Sequence, residues 1–460
     1  MIITNKLGSN AIIIYNIILL LFYIWFCIKH KKSSLSLLII TLFFNGLFVD
    51  FSQLFNSQII NNIYKIVVFI WTLFLFFRYY KKINFKYYKW ITVFFALFCL
   101  YFFISAVLIH QSSILLTFSQ LSRYIIPYLL LLVMDSVAGR YNKIITLNKL
   151  FGRLIFVQIL FNVFKLLIIQ NQYEGLVGSI TGVNGGGAGT TLPLLGLIWL
   201  SLNNRMSFKS KDIWIIIGLL FIGFMTGKRA VWFLFPLLFL ILSIYVFNNK
   251  NIKQRIKNIT ITILILPVIM YCGFRLIPTL NPEKKIWGRF DAQYTWNYVM
   301  KYSTGKNFSD SNIQEGEGRI GALALVWNNI FEPSKQTKRL FIGNGLEYFY
   351  YADYNNYNNS NYYDGINSRG SVTGLIQFIF VIGLIGCLLF LVYLIILICS
   401  GIKFKRLRYT ILFLVLFDFI FYNATSVQLQ SLTVLLMFII LYANNIFDIH
   451  GDIIKRQINT

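Results

Sequence analysis

Thirteen apolar runs follow one another along the chain, at 11–27, 35–51, 59–77, 91–109, 114–134, 150–169, 186–202, 213–225, 230–247, 259–277, 374–399, 410–422 and 429–442. About 20 apolar residues cross the hydrocarbon core of a bilayer as a helix, so each run predicts one span. The runs at 213–225 and 410–422 are short, which brackets the count at about 12–14. One long polar stretch, 281–370, parts the tenth run from the eleventh. The predicted fold is an all-α polytopic membrane protein in three parts. Residues 1–280 carry helices 1–10, residues 281–370 form a long, partly helical extracytoplasmic loop, and residues 371–460 carry helices 11–13 and a short cytoplasmic tail.

Charge sets the orientation. Alternate connections hold 25 of the 42 basic residues, among them Lys29, Lys31 and Lys32, then Arg78, Lys81, Lys82, Lys86 and Lys89, and later Lys403, Lys405, Arg406 and Arg408. The short connections on the other side hold only Lys6, Lys228 and Arg229. The positive-inside rule places the basic set in the cytoplasm, with the N-terminus and the long loop outside. The first run has its basic cluster after it, the reverse of a cleaved signal peptide, and reads as an uncleaved helix.

Composition agrees. The chain is 57% hydrophobic and 13% charged, against about 25% charged in soluble domains. Its net charge of +26 is accounted for by the cytoplasmic connections, so no nucleic-acid partner is implied. Five cysteines lie in or beside apolar runs and the histidines His30, His110 and His450 are far apart. That pattern predicts no disulfide framework, no metal site and no cofactor. Neither a short repeat nor an inverted duplication of the transporter kind is evident.

Few cations lie where a bilayer makes them costly. Lys65 and Lys165 stand near the outer ends of their helices, from which they are expected to snorkel to headgroups. Arg123 is nine residues into its run, about 13 Å deep at 1.5 Å per residue. Insertion costs of about +2.5 to +3.5 kcal/mol direct such an arginine to a wet cavity or to a partner on another helix. Lys228 and Arg229 stand at the outward start of the run that follows them. Two other outward helix starts are preceded by GSITGVNGGGAGTT and by INSRGSVTG, which contains Arg369. Helix N-termini favour phosphate, and arginine adds bidentate contacts to its oxygens.

Gly185, Gly186, Gly187 and Gly189 either admit a ligand close to the backbone or pack helices. No Lys-Ser/Thr follows them, so they form no Walker loop. In the long loop, EGEGR (315–319) leads into a helical-looking stretch at 320–331. Trp327 falls on the same helix face as Arg319, and Glu315 or Glu317 is either a base or a helix cap. Arg289 and Asp364 are further candidates for substrate contact. The Tyr/Asn-rich piece at 348–363 is either a sugar-contacting lid or a polar loop tip.

The motifs TGKRA (226–230), GRIGALALVW (318–327), IGNGLEYF (342–349) and SRGSVTGLIQFIFVIGLIGCLLF (368–390), set in this hydropathy plan, resemble the O-antigen polymerase/ligase superfamily of surface-polysaccharide enzymes. The resemblance implies glycosyl transfer at the outer face of a bacterial inner membrane, without nucleotide or metal. The implied substrate is an undecaprenyl-pyrophosphate-linked oligosaccharide, and the implied partners are membrane lipids, a chain-length regulator and a flippase. It assigns the pyrophosphate contacts to Arg229 and Arg319, with Glu317 as a catalytic candidate and Lys228, Arg123 and Arg369 assisting. The ligase branch carries a histidine where this chain has Asn367, Ser368 and Arg369. That departure favours the polymerase (Wzy-type) branch and leaves the base open among Glu317, Glu347, Asp353 and Asp364. A ligase-like transferase and a lipid-linked oligosaccharide flippase are the rival expectations.

Overall fold

The computed structural model describes residues 6–138, 141–169, 177–182, 188–203, 210–226, 229–242, 252–276, 280–285, 287–304, 336–350, 372–402 and 405–458. Among these residues every regular element is helical. The first half comprises α1 (Lys6–His30), α2 (Ser34–Phe43), α3 (Asn45–Leu54), α4 (Gln58–Tyr79), α5 (Lys89–Phe103), α6 (Ile114–Ala138), α7 (Tyr141–Ile169), α8 (Ala188–Asn203), α9 (Ser210–Met225) and α10 (Arg229–Ile241). The second comprises α11 (Ile252–Leu276), α12 (Ala292–Thr304), α13 (Gln336–Ile342), α14 (Leu346–Tyr350), α15 (Gly374–Gly401), α16 (Lys405–Phe421), α17 (Thr425–Gln428) and α18 (Gln430–Ile458).

Six helical stretches are long and apolar enough to cross a membrane: Asn10–His30, Ile59–Lys82, Lys89–Ile109, Ile114–Val137, Lys143–Lys165 and Gly374–Gly401. The bent pair α2 and α3, at 52° to each other, would make a seventh. Further apolar runs correspond to the shorter helices Ala188–Asn203, Asp212–Gly223 and Gln430–Asn445. The described residues thus hold six or seven full-length spans where thirteen apolar runs stand in the sequence.

The bundle is apolar outside as well as inside. On α4, Ile59, Ile63, Ile66, Val67, Ile70 and Phe74 are all exposed. They recur at the three- and four-residue spacing of one helix face, and an apolar surface of that extent suits hydrocarbon rather than water. The opposite face of α4 packs on α6 and α3, while α5 packs on α15 and α6 on α18.

Two breaks in the helices shape the interior. Between α2 and α3 the chain turns at Phe44, and the segment 177–182 fills the break. Ser179 Oγ donates to the Phe43 carbonyl at 2.8 Å, and the Gly46 N–H donates to the Ser179 carbonyl at 2.9 Å. Gln158 Oε1 accepts from the backbone N–H groups of Ser179 and Ile180, at 2.8 and 3.2 Å. The second break is in α15 at Gly383, whose φ of 69° lies in the left-handed region. There the carbonyls of Phe380 and Val381 accept from the N–H groups of Asn344 and Gly345, at 2.7 and 3.1 Å. Backbone freed by a break inside a membrane protein must find partners in the protein itself, and both breaks do.

The second break also docks α13 and α14. Tyr101 and Ser105, around the π turn that ends α5, donate to the carbonyls of Phe341 and Ile342 at 3.1 and 3.0 Å. His110 Nε2 lies 3.3 Å from the Ile342 carbonyl, and its side chain packs against Gly345. Glu347 Oε1 accepts from the Ser113 N–H at 3.0 Å, at the start of α6. His110 and Glu347 therefore act as docking contacts, and the IGNGLEYF motif is the wedge that they hold.

Candidate cation-lined cavity

A cavity of about 490 Å³ opens among the N-terminal turns of α4, α6, α15 and α18 and the turn that follows α16. Helical periodicity gathers its walls. Asn61, Tyr64 and Lys65 share one face of α4, and Ser119, Ser122 and Arg123 share one face of α6, because residues three and four apart lie one above the other. Asn45 and Val49 of α3, Gln377 of α15 and Phe349 of α14 complete the sides. The floor is the turn around Asn423, Thr425, Gln428 and Ser431.

The electrostatics of the cavity are one-sided. Lys65 and Arg123 both line it, both are half-buried, and they act on each other as like charges. Among the described residues no carboxylate lines the cavity, and the one ion pair, Lys285–Glu283, belongs to the loop. Ser431, only 1% exposed, has a hydroxyl with no hydrogen-bond partner. Two cations with amides, hydroxyls and no counter-charge among the described residues make a site that an anion would stabilise.

The floor is held by an acid from below. Ala424 adopts the left-handed conformation (φ 52°, ψ 33°), and the Ser426 N–H donates to Asp418 Oδ2 at 2.6 Å. The Thr425 hydroxyl lies 3.5 Å from Asp418 Oδ1 and also meets the hydroxyl of Thr191 on α8.

A fully buried cation lies elsewhere. Lys165 is 0% exposed, so it does not snorkel as its position near a helix end predicted. Its Nζ donates to the Thr181 carbonyl at 3.0 Å and sits 5.5 Å from the centre of the Tyr15 ring. Asp50 of α3, 1% exposed, lies close enough to act on its charge. The segment 177–182 brings the carbonyl that makes this burial possible, and hydropathy carries no trace of it. Lys65 departs from the same expectation, because it lines the cavity.

Of the site residues predicted from sequence that are described, Arg123 is the one that lines the cavity. Arg289 is exposed and lies near Glu283, whose carboxylate Lys285 holds below the usual range. Arg229 is the first residue of α10. Lys228, Glu315, Glu317, Arg319, Trp327, Asp353, Asp364 and Arg369 lie outside the described residues, as do Gly185, Gly186 and Gly187. Gly189 packs against Thr226, which fits the helix-packing alternative for that glycine. Sequence reasoning missed Asp418 and the polar turn after it, although an aspartate inside the run 410–422 was a usable signal.

No protein-family model, no curated protein and no solved structure matches the chain.

Proposed function

We propose that the protein is an O-antigen or capsular polysaccharide polymerase of the inner membrane. It transfers a growing glycan from undecaprenyl pyrophosphate to a lipid-linked repeat unit at the outer face. The observation that carries this reading is the cavity that holds Lys65 and Arg123 with no carboxylate among its described lining residues. A lipid diphosphate is an anion that reaches its site through the bilayer. A membrane-embedded, cation-lined cavity is the chemistry that would receive it.

In this reading the two cations hold the diphosphate. When the sugar leaves, negative charge grows on the departing phosphate oxygen, and fixed cations in a partly dry site stabilise it more than water would. Arg229 and Arg319, with Arg369 and Lys228, remain the contributions that the motif resemblance assigns. Phe349, carried by the docked IGNGLEYF wedge, links the loop to the cavity wall.

A flippase is the second reading, favoured by the bend between α2 and α3, because broken helices around a central site are a transporter feature. One experiment separates the two. Purified protein in detergent receives lipid-linked repeat units extracted from the host membrane, and the products are resolved as a ladder. The polymerase reading expects longer lipid-linked glycans. Unchanged substrate with correctly folded protein would reject it and leave the flippase.

A further inference from the structure

Asp418 is a buried acid with no part in holding the diphosphate. It stands on α16, 5% exposed, and an ionisable side chain so buried is costly unless its surroundings or a task account for it. Oδ2 caps the Ser426 N–H at 2.6 Å. Oδ1 faces a different group, the Thr425 hydroxyl at 3.5 Å. Thr425 lines the cavity, and Asp418 does not. A hydroxyl therefore stands between the cavity and a carboxylate that substrate cannot touch directly.

Two donors face the Asp418 carboxylate. They are the Ser426 N–H on Oδ2 and the Thr425 hydroxyl of α17 on Oδ1, and the Thr191 hydroxyl of α8 meets that of Thr425. Such donors offset part of what burial costs a carboxylate. The other described carboxylates near this end of the bundle are engaged elsewhere. Glu347 accepts from Ser113, and Asp50 lies beside Lys165 and against Gly182.

We propose that Thr425 and Asp418 form the relay that takes the proton of the acceptor hydroxyl, an inference that rests on the polymerase reading. The acceptor O–H gives its proton to Thr425 Oγ while the hydroxyl proton of Thr425 passes to the Asp418 carboxylate. The freed acceptor oxygen forms the new bond to the donor sugar's anomeric carbon. The bond from that carbon to the phosphate oxygen breaks, and the diphosphate leaves with the electron pair beside Lys65 and Arg123. Thr425 is the catalytic residue in this step, and Asp418 is a positioning residue that acts through it. The unpartnered Ser431 hydroxyl and Asn423, on the same floor, supply polar contacts for the acceptor sugar.

The test measures extension of host-extracted lipid-linked repeat units by wild type, Asp418→Asn, Thr425→Val and Thr425→Ser in detergent. General-base removal lowers the rate by about 10²- to 10⁴-fold, and that loss is expected for Asp418→Asn and Thr425→Val. Thr425→Ser restores the hydroxyl and is expected to recover most of the activity. The acid limb of the wild-type pH–rate profile should vanish in Asp418→Asn. Pyrophosphate binding to Thr425→Val should stay at the wild-type level. If Asp418→Asn does not fold, as judged by gel filtration, the Val/Ser pair at position 425 decides. Wild-type rates in Asp418→Asn or Thr425→Val would overturn the relay, as would equal losses in the Val and Ser variants. A wild-type protein that extends nothing would remove the polymerase reading first, and the relay with it.

Discussion

Lys165 and Lys65 are two lysines in apolar helices with opposite surroundings. Lys165 gives its proton donors to the Thr181 carbonyl, faces Tyr15 and lies near Asp50. Lys65 faces a cavity with Arg123 as its charged neighbour. Lys165→Met leaves a buried carbonyl without its donor and Asp50 without its counter-charge. Each such loss costs about 1–3 kcal/mol, so its thermal midpoint in detergent should fall clearly below wild type. Lys65→Met removes a like-charge repulsion, and its midpoint should stay level or rise, as expected where function is held at some cost in stability. A midpoint for Lys65→Met as low as that of Lys165→Met would mean that Lys65 is structural. Both lysines look alike in the sequence, because the segment 177–182 that tells them apart is more than a hundred residues from Lys65.

Glycine punctuation was the readable signal at the level of elements, and its purpose became clear only in three dimensions. The Asn45–Gly46 pair is a turn signal inside the run 35–51, and the bend between α2 and α3 falls there. Hydropathy alone reads that run as one span. The glycines of IGNGLEYF look like a short family motif. In the fold, Gly343 and Gly345 have φ of 82° and 89°, and the turn satisfies the carbonyls that the Gly383 break sets free. A Cβ on Gly383 would also strike the Phe341 carbonyl. Gly383→Ala is therefore expected to cost about 1–3 kcal/mol of backbone strain, read as a lower thermal midpoint. An unchanged midpoint would show that the wedge is not held by this break.

For the molecule as a whole, helical class and bundle were legible because apolar runs of membrane length need no tertiary information. The cavity was not, because its walls come from α3, α4, α6, α14, α15 and the turn before α18, and Arg123 alone stood out by depth. Orientation rests on the basic connections, and cysteine labelling checks it. In a background lacking Cys27, Cys99, Cys272, Cys387 and Cys399, an impermeant maleimide should label Ser113→Cys in intact cells. It should label Lys86→Cys only after lysis, and the reverse pattern would invert the topology. The proposed joint grip of Lys65 and Arg123 on a diphosphate is read by calorimetry of pyrophosphate binding to the purified protein. Wild type should bind, Lys65→Gln and Arg123→Gln should each weaken binding at least about tenfold, roughly 1.4 kcal/mol, and the double variant should not bind. Equal affinity in wild type and the double variant would contradict the account.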